Sequence, residues 1–297
     1  MYRAHFGLRE PPFGITPDTS FVFACTSHQE ALNTLLVAVK SGEGFMKITG
    51  EVGTGKTLLC RRFLATLGDS CAPAYIPNPY LDPRSLLLAL ADELGAHLDK
   101  DADQHQLLKS LTLALLGFAR QGKQVVICLD EAQAMPLESL EALRLLTNLE
   151  TEKRKLVQVV LFGQPELDDQ LKHPSVRQLR QRITFQYQLG ALAKDELDHY
   201  LAHRLSIAGY RGGRVFTTSA VHLLHRLSGG IPRLVNILAH KTLLLTYGEG
   251  GHEVEPRHVR AAATDTPAVK NGFHPWWWLA FALFLMSLSG LSWQFLQ

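Results

Sequence analysis

The feature that most constrains this chain is a glycine-rich stretch from Gly50 to Thr57, which reads G-E-V-G-T-G-K-T. It follows a short apolar run, Phe45 to Thr49, and leads into a helical pattern that includes Leu59 and Phe63. Glycine leaves room for a tight backbone path and for the close approach of a phosphate, which side chains would block. An ordinary glycine turn lacks this order of strand, loop and helix. The stretch therefore predicts a phosphate-binding loop at a helix N-terminus.

The same loop predicts which groups meet the nucleotide. Lys56 can reach the β- and γ-phosphates of a nucleoside triphosphate, and the hydroxyl of Thr57 can ligate Mg²⁺. The backbone N–H groups of the loop are expected to surround the α- and β-phosphates. The expected nucleotide-binding residues are Gly50, Glu51, Val52, Gly53, Thr54, Gly55, Lys56, Thr57 and Leu58.

An acidic pair follows the most apolar strand pattern, because Val125 to Leu129 runs directly into Asp130 and Glu131. Adjacent acids at the carboxyl end of a buried parallel strand are costly unless a positive charge is nearby, and α/β proteins bind ligands at that edge. We expect Asp130 to hold Mg²⁺ through water and Glu131 to act as the general base on the attacking water. The alternative is that Asp130 only caps the next helix.

Gln164 and Arg233 are two further candidate positions. Gln164 comes just after the strand pattern 156–162, where its amide could orient the attacking water or contact the γ-phosphate. A solvated loop amide is the alternative. Arg233 follows Pro232 at the start of a helix, where the helix dipole disfavours a cation, so a nearby γ-phosphate would explain it. A tolerated surface arginine is the alternative there.

Three arginines lie on a predicted short helix before the last strand. One of them could reach the γ-phosphate of a neighbouring subunit and stabilise charge that develops during transfer. A solvated basic face explains the same spacing equally well. These arginines are Arg177, Arg180 and Arg182.

Short strands that are apolar on both faces alternate with helices up to about residue 192, which predicts a parallel α/β sheet covered on both sides. From about Ala193 only helical patterns follow. In the N-terminal segment, Ser27 and Glu30 have the spacing of a capping box. We predict a strap (1–30), a nucleotide-binding α/β core (31–192), an all-helical domain (193–264), a linker (265–275) and a C-terminal apolar helix (276–296).

The segment 276–296 carries no charge and is long enough to cross a bilayer as a helix. Trp276 and Trp293 stand near its two ends, as aromatic residues do at membrane interfaces. Lys270 and Arg260 precede it, which predicts a single-pass inner-membrane protein whose bulk lies in the cytoplasm. The alternative is an apolar helix buried against a partner. The formal net charge of +2 gives no general attraction to nucleic acid.

Together the motifs resemble the AAA+ ATPases of the general secretion pathway protein A (ExeA) type, which include the MSHA pilus biogenesis (MshM) type. The resemblance covers roughly residues 1–266 and rests on Y-R-A-H-F-G-L-R-E-P-P-F, G-E-V-G-T-G-K-T, L-D-E-A-Q, F-G-Q-P-E-L, L-R-Q-R-I and G-G-I-P-R-L-V-N. It implies a P-loop αβα core with a helical lid, ATP and Mg²⁺ as cofactors, and ATP-dependent homo-oligomers. It also implies that Gln164 is the sensor-1 residue, Arg233 the sensor-2 residue and Arg182 the arginine finger, with Arg180 in reserve.

Proteins of this type are expected to help assemble an envelope machine, either a type IV pilus or a type II secretion complex, together with inner-membrane assembly proteins. They usually continue past the membrane into a peptidoglycan-binding domain, and no residue follows Gln297, which favours the pilus type. Two other functions stay open. The first is a DNA-binding ATPase of the transposition or initiator type, although the near-neutral charge makes nucleic acid an unexpected partner. The second is a nucleotide-gated scaffold with little turnover, against which the intact Glu131 counts.

Overall fold

Five parallel strands form one sheet in the order β2–β3–β4–β1–β5 in the computed structural model, which describes residues 2–96, 103–149 and 155–269. Every residue of β1 and β4 is buried, as expected for central strands covered on both faces. The sequence patterns at residues 45–49, 74–76, 125–129, 156–162 and 184–189 predict five strands, and all five strands are confirmed. The strands are β1 (Phe45–Gly50), β2 (Cys71–Ile76), β3 (Gln124–Leu129), β4 (Val157–Gly163) and β5 (Ile183–Leu189).

Alternate residues of each strand point to opposite faces, and helices cover both faces. On one face Met46 and Ile48 pack against the helices beside the phosphate-binding loop. On the other face Phe45 packs within a second apolar cluster. The first face is covered by α2 (Thr26–Lys40) and α3 (Lys56–Thr66). The second is covered by α4 (Pro83–Glu93), α5 (Gln104–Arg120), α6 (Leu137–Leu146), α7 (Glu166–Gln170) and α8 (Arg177–Gln181).

A separate apolar cluster holds the remaining helices together with the start of the chain. Phe6, Phe13 and Phe21 are buried in the same cluster as Leu201 and Leu224. The N-terminal segment therefore packs into the helical part of the molecule. It is not extended throughout, because it contains a short helix. The helices are α1 (Tyr2–His5), α9 (Lys194–Ile207), α10 (Thr218–Ser228), α11 (Pro232–Gly248) and α12 (Pro256–Thr264).

The start of α2 differs from the capping box expected at Ser27. The helix begins at Thr26, Glu30 contacts the edge strand β5, and Ser27 contacts the residue that follows this strand. The Oγ of Ser27 accepts the N–H of Gly190 at 2.8 Å, and Glu30 accepts the hydroxyl of Tyr187 at 2.7 Å. These contacts take the place of the predicted capping box. Residue spacing alone cannot predict them, because they depend on which strand lies beside the helix.

The predicted membrane-spanning segment 276–296 lies outside the described residues. Within residues 2–96, 103–149 and 155–269, no helix combines the length and apolar character that a bilayer crossing requires.

Candidate functional site

The carboxyl ends of β1, β3 and β4 meet at one edge of the sheet, and the backbone of the loop after β1 requires glycine there. Gly53 and Gly55 have φ angles of 84° and 97°, which side chains rarely adopt. A Cβ atom at Gly53 would lie 2.5 Å from the Cβ atom of Arg233, and one at Gly55 would lie 2.8 Å from Nε2 of His28. The loop therefore needs glycine at these positions for two reasons: the backbone has a positive φ angle, and a side chain would clash with the neighbouring residues.

Lys56 begins α3 and turns its amine back over the loop. Its Nζ atom donates to the carbonyl oxygens of Gly50 and Glu51 at 2.8 and 3.0 Å. Burial lowers the pKa of Lys56, whereas the carboxylates of Glu131 and Asp130 favour its charged form. A buried ammonium at a helix N-terminus, held by neutral carbonyls, is suited to a phosphate.

Asp130 follows β3 and is almost fully buried, with 2% of its surface exposed. Burial raises the pKa of its carboxyl, although the Thr57 hydroxyl and the Glu131 N–H, at 3.0 Å, both donate to it. The Tyr75 hydroxyl lies 3.4 Å from Oδ2, and burial together with the Asp130 charge raises the pKa of Tyr75 to about 12. Asp130 and Thr57 thus offer neighbouring oxygen atoms in a place that favours a cation, and this donor set fits Mg²⁺.

The capping alternative for Asp130 does not match the geometry. The residue that precedes the short 3₁₀ turn Ala132–Ala134 is Glu131, and it makes no side-chain cap. The backbone N–H that donates to the Asp130 side chain is that of the next residue, whereas an N-cap side chain accepts from an N–H two or three residues further on.

Glu131 is the only non-glycine residue with a positive φ angle (53°) in the described part of the chain. Its Oε2 atom accepts from Nε2 of Gln133 at 2.7 Å and from Nε2 of Gln164 at 3.1 Å. Burial alone would raise the pKa of Glu131, but these two amides and the Lys56 charge outweigh it, so the pKa is lowered. The carboxylate is therefore charged and oriented.

Gln133 was missed as a site residue by the sequence reasoning. It lies on the 3₁₀ turn after Glu131, and its Oε1 atom accepts the backbone N–H of Gln164 at 3.0 Å. Its only sequence signal is the final letter of L-D-E-A-Q, and that letter does not reveal a contact with the end of β4.

The helical part closes the site from the other side. The backbone N–H of Arg233, in the first turn of α11, donates to the carbonyl oxygen of Gly53 at 3.2 Å. Loop, helices and N-terminal segment together enclose a cavity of about 210 Å³. Its lining includes Lys56, Thr57, Glu131, Gln164, Arg233, Tyr200, Arg204, Asn236 and residues 14–18.

Arg204 is a second residue that the sequence reasoning missed. Its guanidinium is buried and donates to the carbonyl oxygens of Pro12 and Gly14 at 2.6 and 3.3 Å. It also donates to the Tyr200 hydroxyl at 3.1 Å and lies 4.8 Å from the centre of the Phe21 ring. Arg204 thereby holds the N-terminal segment against the helices that line the cavity.

The three arginines predicted before the last strand are not part of this cavity. Arg182 precedes the amino end of β5, whereas the phosphate-binding loop follows the carboxyl end of the adjacent, parallel β1. The seven residues of β5 span roughly 20 Å at about 3.3 Å per residue. Arg182 is exposed and lines a separate cavity with Lys155 and Thr184. It cannot reach the phosphate-binding loop of the same chain.

Residues 39–171 match the family described as "AAA domain". The chain is 43% identical over 271 residues to "General secretion pathway protein A" of Aeromonas hydrophila. The aligned region covers 91% of this chain and 49% of that protein. The chain therefore spans about half the length of this relative.

Several solved structures share the fold at low sequence identity. The "CDC6P" structure from Pyrobaculum aerophilum matches with a TM-score of 0.65 at 17% identity, over 86% of this chain and 72% of that one. The ORC2 protein of Aeropyrum pernix matches with a TM-score of 0.61 at 18% identity, over 85% and 72%. The RuvB motor of Thermotoga maritima matches with a TM-score of 0.53 at 15% identity, over 83% and 70%. These likenesses support a shared fold only.

Proposed function

We propose that this chain, which belongs to the AAA+ ATPases and is of the general secretion pathway protein A type, binds ATP and hydrolyses it in a homo-oligomer. The observation that carries the proposal is the convergence of Lys56, Glu131, Gln164 and Arg233 on one cavity. These residues come from three strand ends and from the helical lid formed by α9–α12. A pocket with a phosphate loop, a carboxylate base and converging polar groups suits phosphoryl transfer to water.

Each residue then has a role that follows from its position. The loop N–H groups and Lys56 would bind the phosphates. Thr57 and Asp130 would hold Mg²⁺, which when bound neutralises negative charge on the phosphate oxygens. Glu131 would accept a proton from the attacking water, for which its charged, oriented carboxylate is suited. Gln164 would orient that water or contact the γ-phosphate, and Arg233 would bring the lid onto the phosphates.

Among the residues that line the cavity in the described part of the chain, none is Arg177, Arg180 or Arg182, so an arginine finger from this group would act on a neighbouring copy, which supports an oligomer. Arg182 lies beside the amino ends of the strands, whereas the phosphate-binding loop lies at their carboxyl ends. It is exposed to solvent and can therefore contact a neighbouring copy. In a head-to-tail assembly, the surface of one copy that carries Arg182 would face the phosphate-binding loop of the next copy. We propose that Arg182 stabilises charge on the neighbour's γ-phosphate, with Arg180 as the second candidate.

The cellular role proposed here follows the relative named for the general secretion pathway. We propose that ATP turnover drives assembly of an inner-membrane envelope machine, either a type II secretion complex or a type IV pilus. The apolar segment 276–296 would anchor the ATPase to the inner membrane, with the AAA+ domain in the cytoplasm.

The first test uses the full-length chain with Glu131→Gln. We expect ATP affinity to stay within about threefold of wild type and turnover to fall by roughly 10²- to 10⁴-fold, because a positioned base contributes on that order. Glu138→Gln is the matched control, because Glu138 is an exposed residue on the nearby α6 and should leave turnover unchanged. Unchanged turnover in Glu131→Gln would refute the catalytic role. ATP binding without any turnover in wild type, at every protein concentration, would favour the nucleotide-gated scaffold.

A further inference from the structure

Gln133 lies between Glu131 and Gln164, two residues that have roles in the proposed hydrolysis. Its Nε2 atom donates to the Glu131 carboxylate at 2.7 Å, and its Oε1 atom accepts the backbone N–H of Gln164 at 3.0 Å. One side chain therefore links the acid after β3 to the loop after β4. Because β3 and β4 are adjacent parallel strands, this link joins their carboxyl ends.

The two bonds fix the orientation of the Gln133 amide. A carboxylate can only accept and a backbone N–H can only donate, so the NH₂ group must face Glu131 and the oxygen must face Gln164. The turn that carries Gln133 is itself closed by the N–H of Ala134, which donates to the Glu131 carbonyl oxygen at 2.9 Å. The end of β4 also fits closely, since a Cβ atom at Gly163 would lie 3.3 Å from Oε1 of Gln133 and 2.7 Å from a methyl group of Leu167.

Glu131 needs such support because its backbone is in the left-handed region. Residues held there persist only where the surrounding structure determines them, and they concentrate at functional sites. Gln133 contacts both the carboxylate of Glu131 and the segment that faces it, so it can stabilise this conformation together with the spacing of the two strands.

We propose that Gln133 is a positioning residue that holds the Glu131 carboxylate and the Gln164 loop as one unit. The inference rests on the proposed ATP hydrolysis. Both amides donate to the same oxygen, Oε2 of Glu131. If the Gln164 amide turns to the γ-phosphate, Gln133 is the remaining amide that keeps the carboxylate oriented. Gln133 therefore matters for turnover and little for ATP binding.

The test measures kcat, KM and the affinity for a fluorescent ATP analogue in the full-length chain with Gln133→Met. Methionine keeps the length of the side chain and removes both hydrogen bonds. We expect kcat to fall by roughly 10- to 100-fold, because small misplacements of reacting groups cost up to about 10²-fold. The affinity for the analogue should stay within about threefold of wild type, since Gln133 does not line the cavity.

Gln170→Met is the matched control. The Gln170 amide lies on α7 and donates to the carbonyl oxygen of Met135, so it belongs to the same junction but takes no part in the hydrogen bonds that link Gln133, Glu131 and Gln164. Its kcat should stay within about twofold of wild type. If Gln133→Met does not fold, Gln133→Glu replaces it, because it keeps the acceptor for Gln164 but places a carboxylate against Glu131.

Three results would overturn the inference. One is a folded Gln133 variant whose kcat is within threefold of wild type. Another is an equal loss of kcat in the Gln133 and Gln170 variants. The third is a parallel loss of kcat and analogue affinity. The Glu131→Gln variant separates the two proposals: if it is inactive while Gln133→Met is normal, only the inference about Gln133 fails. If wild type and Glu131→Gln have equal turnover, the proposed hydrolysis itself fails.

Discussion

Single residues of the phosphate-binding loop are constrained from two sides. Arg233 of the lid lies against Gly53, and His28 of α2 lies against Gly55, so neither position has room for a side chain. Backbone conformation and tight contact therefore act at the same positions. Substitutions here change both the shape of the loop and the position of its neighbours.

Gly53→Ala is expected to destabilise the protein by about 2 kcal/mol, because the left-handed backbone alone costs an alanine roughly 1–2 kcal/mol. The new methyl group also displaces Arg233, so ATP affinity should fall at least tenfold. Thermal unfolding and nucleotide titration measure the two effects. Gly68→Ala is the control, since a Cβ atom there meets nothing within 4 Å. Equal behaviour of the two variants would show that the loop tolerates a side chain.

His28 predicts a pH dependence of stability. Burial and the Arg62 charge lower its pKa, although Glu196 opposes them, and its Nδ1 atom lies 2.6 Å from the Cys25 thiol. Between the lowered folded pKa and the ordinary unfolded pKa, only the unfolded chain takes up the proton. Acid therefore favours unfolding in that range, by at most about 1.4 kcal/mol per pH unit from this group.

The measurement is the free energy of unfolding between about pH 7.5 and 5.5. Its decrease toward acid pH should be smaller in His28→Gln than in wild type. His222→Gln changes an exposed histidine on α10 and should leave the slope unchanged. An identical slope in all three proteins would contradict the explanation.

At the scale of elements, a partly buried ion pair connects strand β1 to α7. Lys47 donates to Asp168, with 11% and 40% of the two side chains exposed. Removing only the acid leaves a mostly buried ammonium without its partner, and the partial exposure of Asp168 moderates the cost. The pair therefore matters more for holding α7, which follows Gln164, than for net stability.

Asp168→Asn is expected to lower the free energy of unfolding by about 1–2 kcal/mol, and Lys47→Met by less than about 1 kcal/mol. The double variant should be no less stable than Lys47→Met alone, because the uncompensated charge is gone. Denaturant titration of the three variants tests this. Additive losses in the double variant would mean that the two side chains are not coupled.

The elements themselves were largely predictable, because apolar runs with buried faces define β1, β3 and β4. The first half of β2 was not predicted, because Pro73 weakens the strand signal and is tolerated only at a sheet edge. The loop and the acidic pair could be read from their local spacing. Gln133 and Arg204 could not, since their partners depend on which strands are adjacent and on contacts with residues far away in the sequence.

At the scale of the whole molecule, the N-terminal segment joins the sheet to the lid. Its aromatic residues are buried among the lid helices, and the edge of the Phe13 ring packs on Phe216 with centres 5.9 Å apart. The next residues, 14–18, line the cavity, and the Pro17 carbonyl oxygen accepts from Arg61 of α3 at 3.3 Å. The N-terminal segment therefore contacts both the lid and the lining of the proposed nucleotide site.

Phe13→Ala is expected to cost about 3–5 kcal/mol, because it opens a cavity in the core of the lid. It should also weaken ATP binding, since residues 14–18 lose their anchor. Ile15→Ala, two residues away and 58% exposed, should change stability by less than about 0.5 kcal/mol. Calorimetry of both variants checks this, and a Phe13→Ala protein as stable as wild type would show that the segment is not part of the lid core.

The central claim is that a neighbouring copy completes each ATP site, and a mixing experiment tests it most directly. Glu131→Gln keeps Arg182, and Arg182→Ala keeps Glu131, so each variant alone should have little turnover. Mixed full-length proteins should regain ATPase activity, because Arg182 of one variant then meets the intact site of the other. Activity in the mixture no greater than the sum of the separate variants, or full activity of Arg182→Ala alone, would contradict the claim for Arg182.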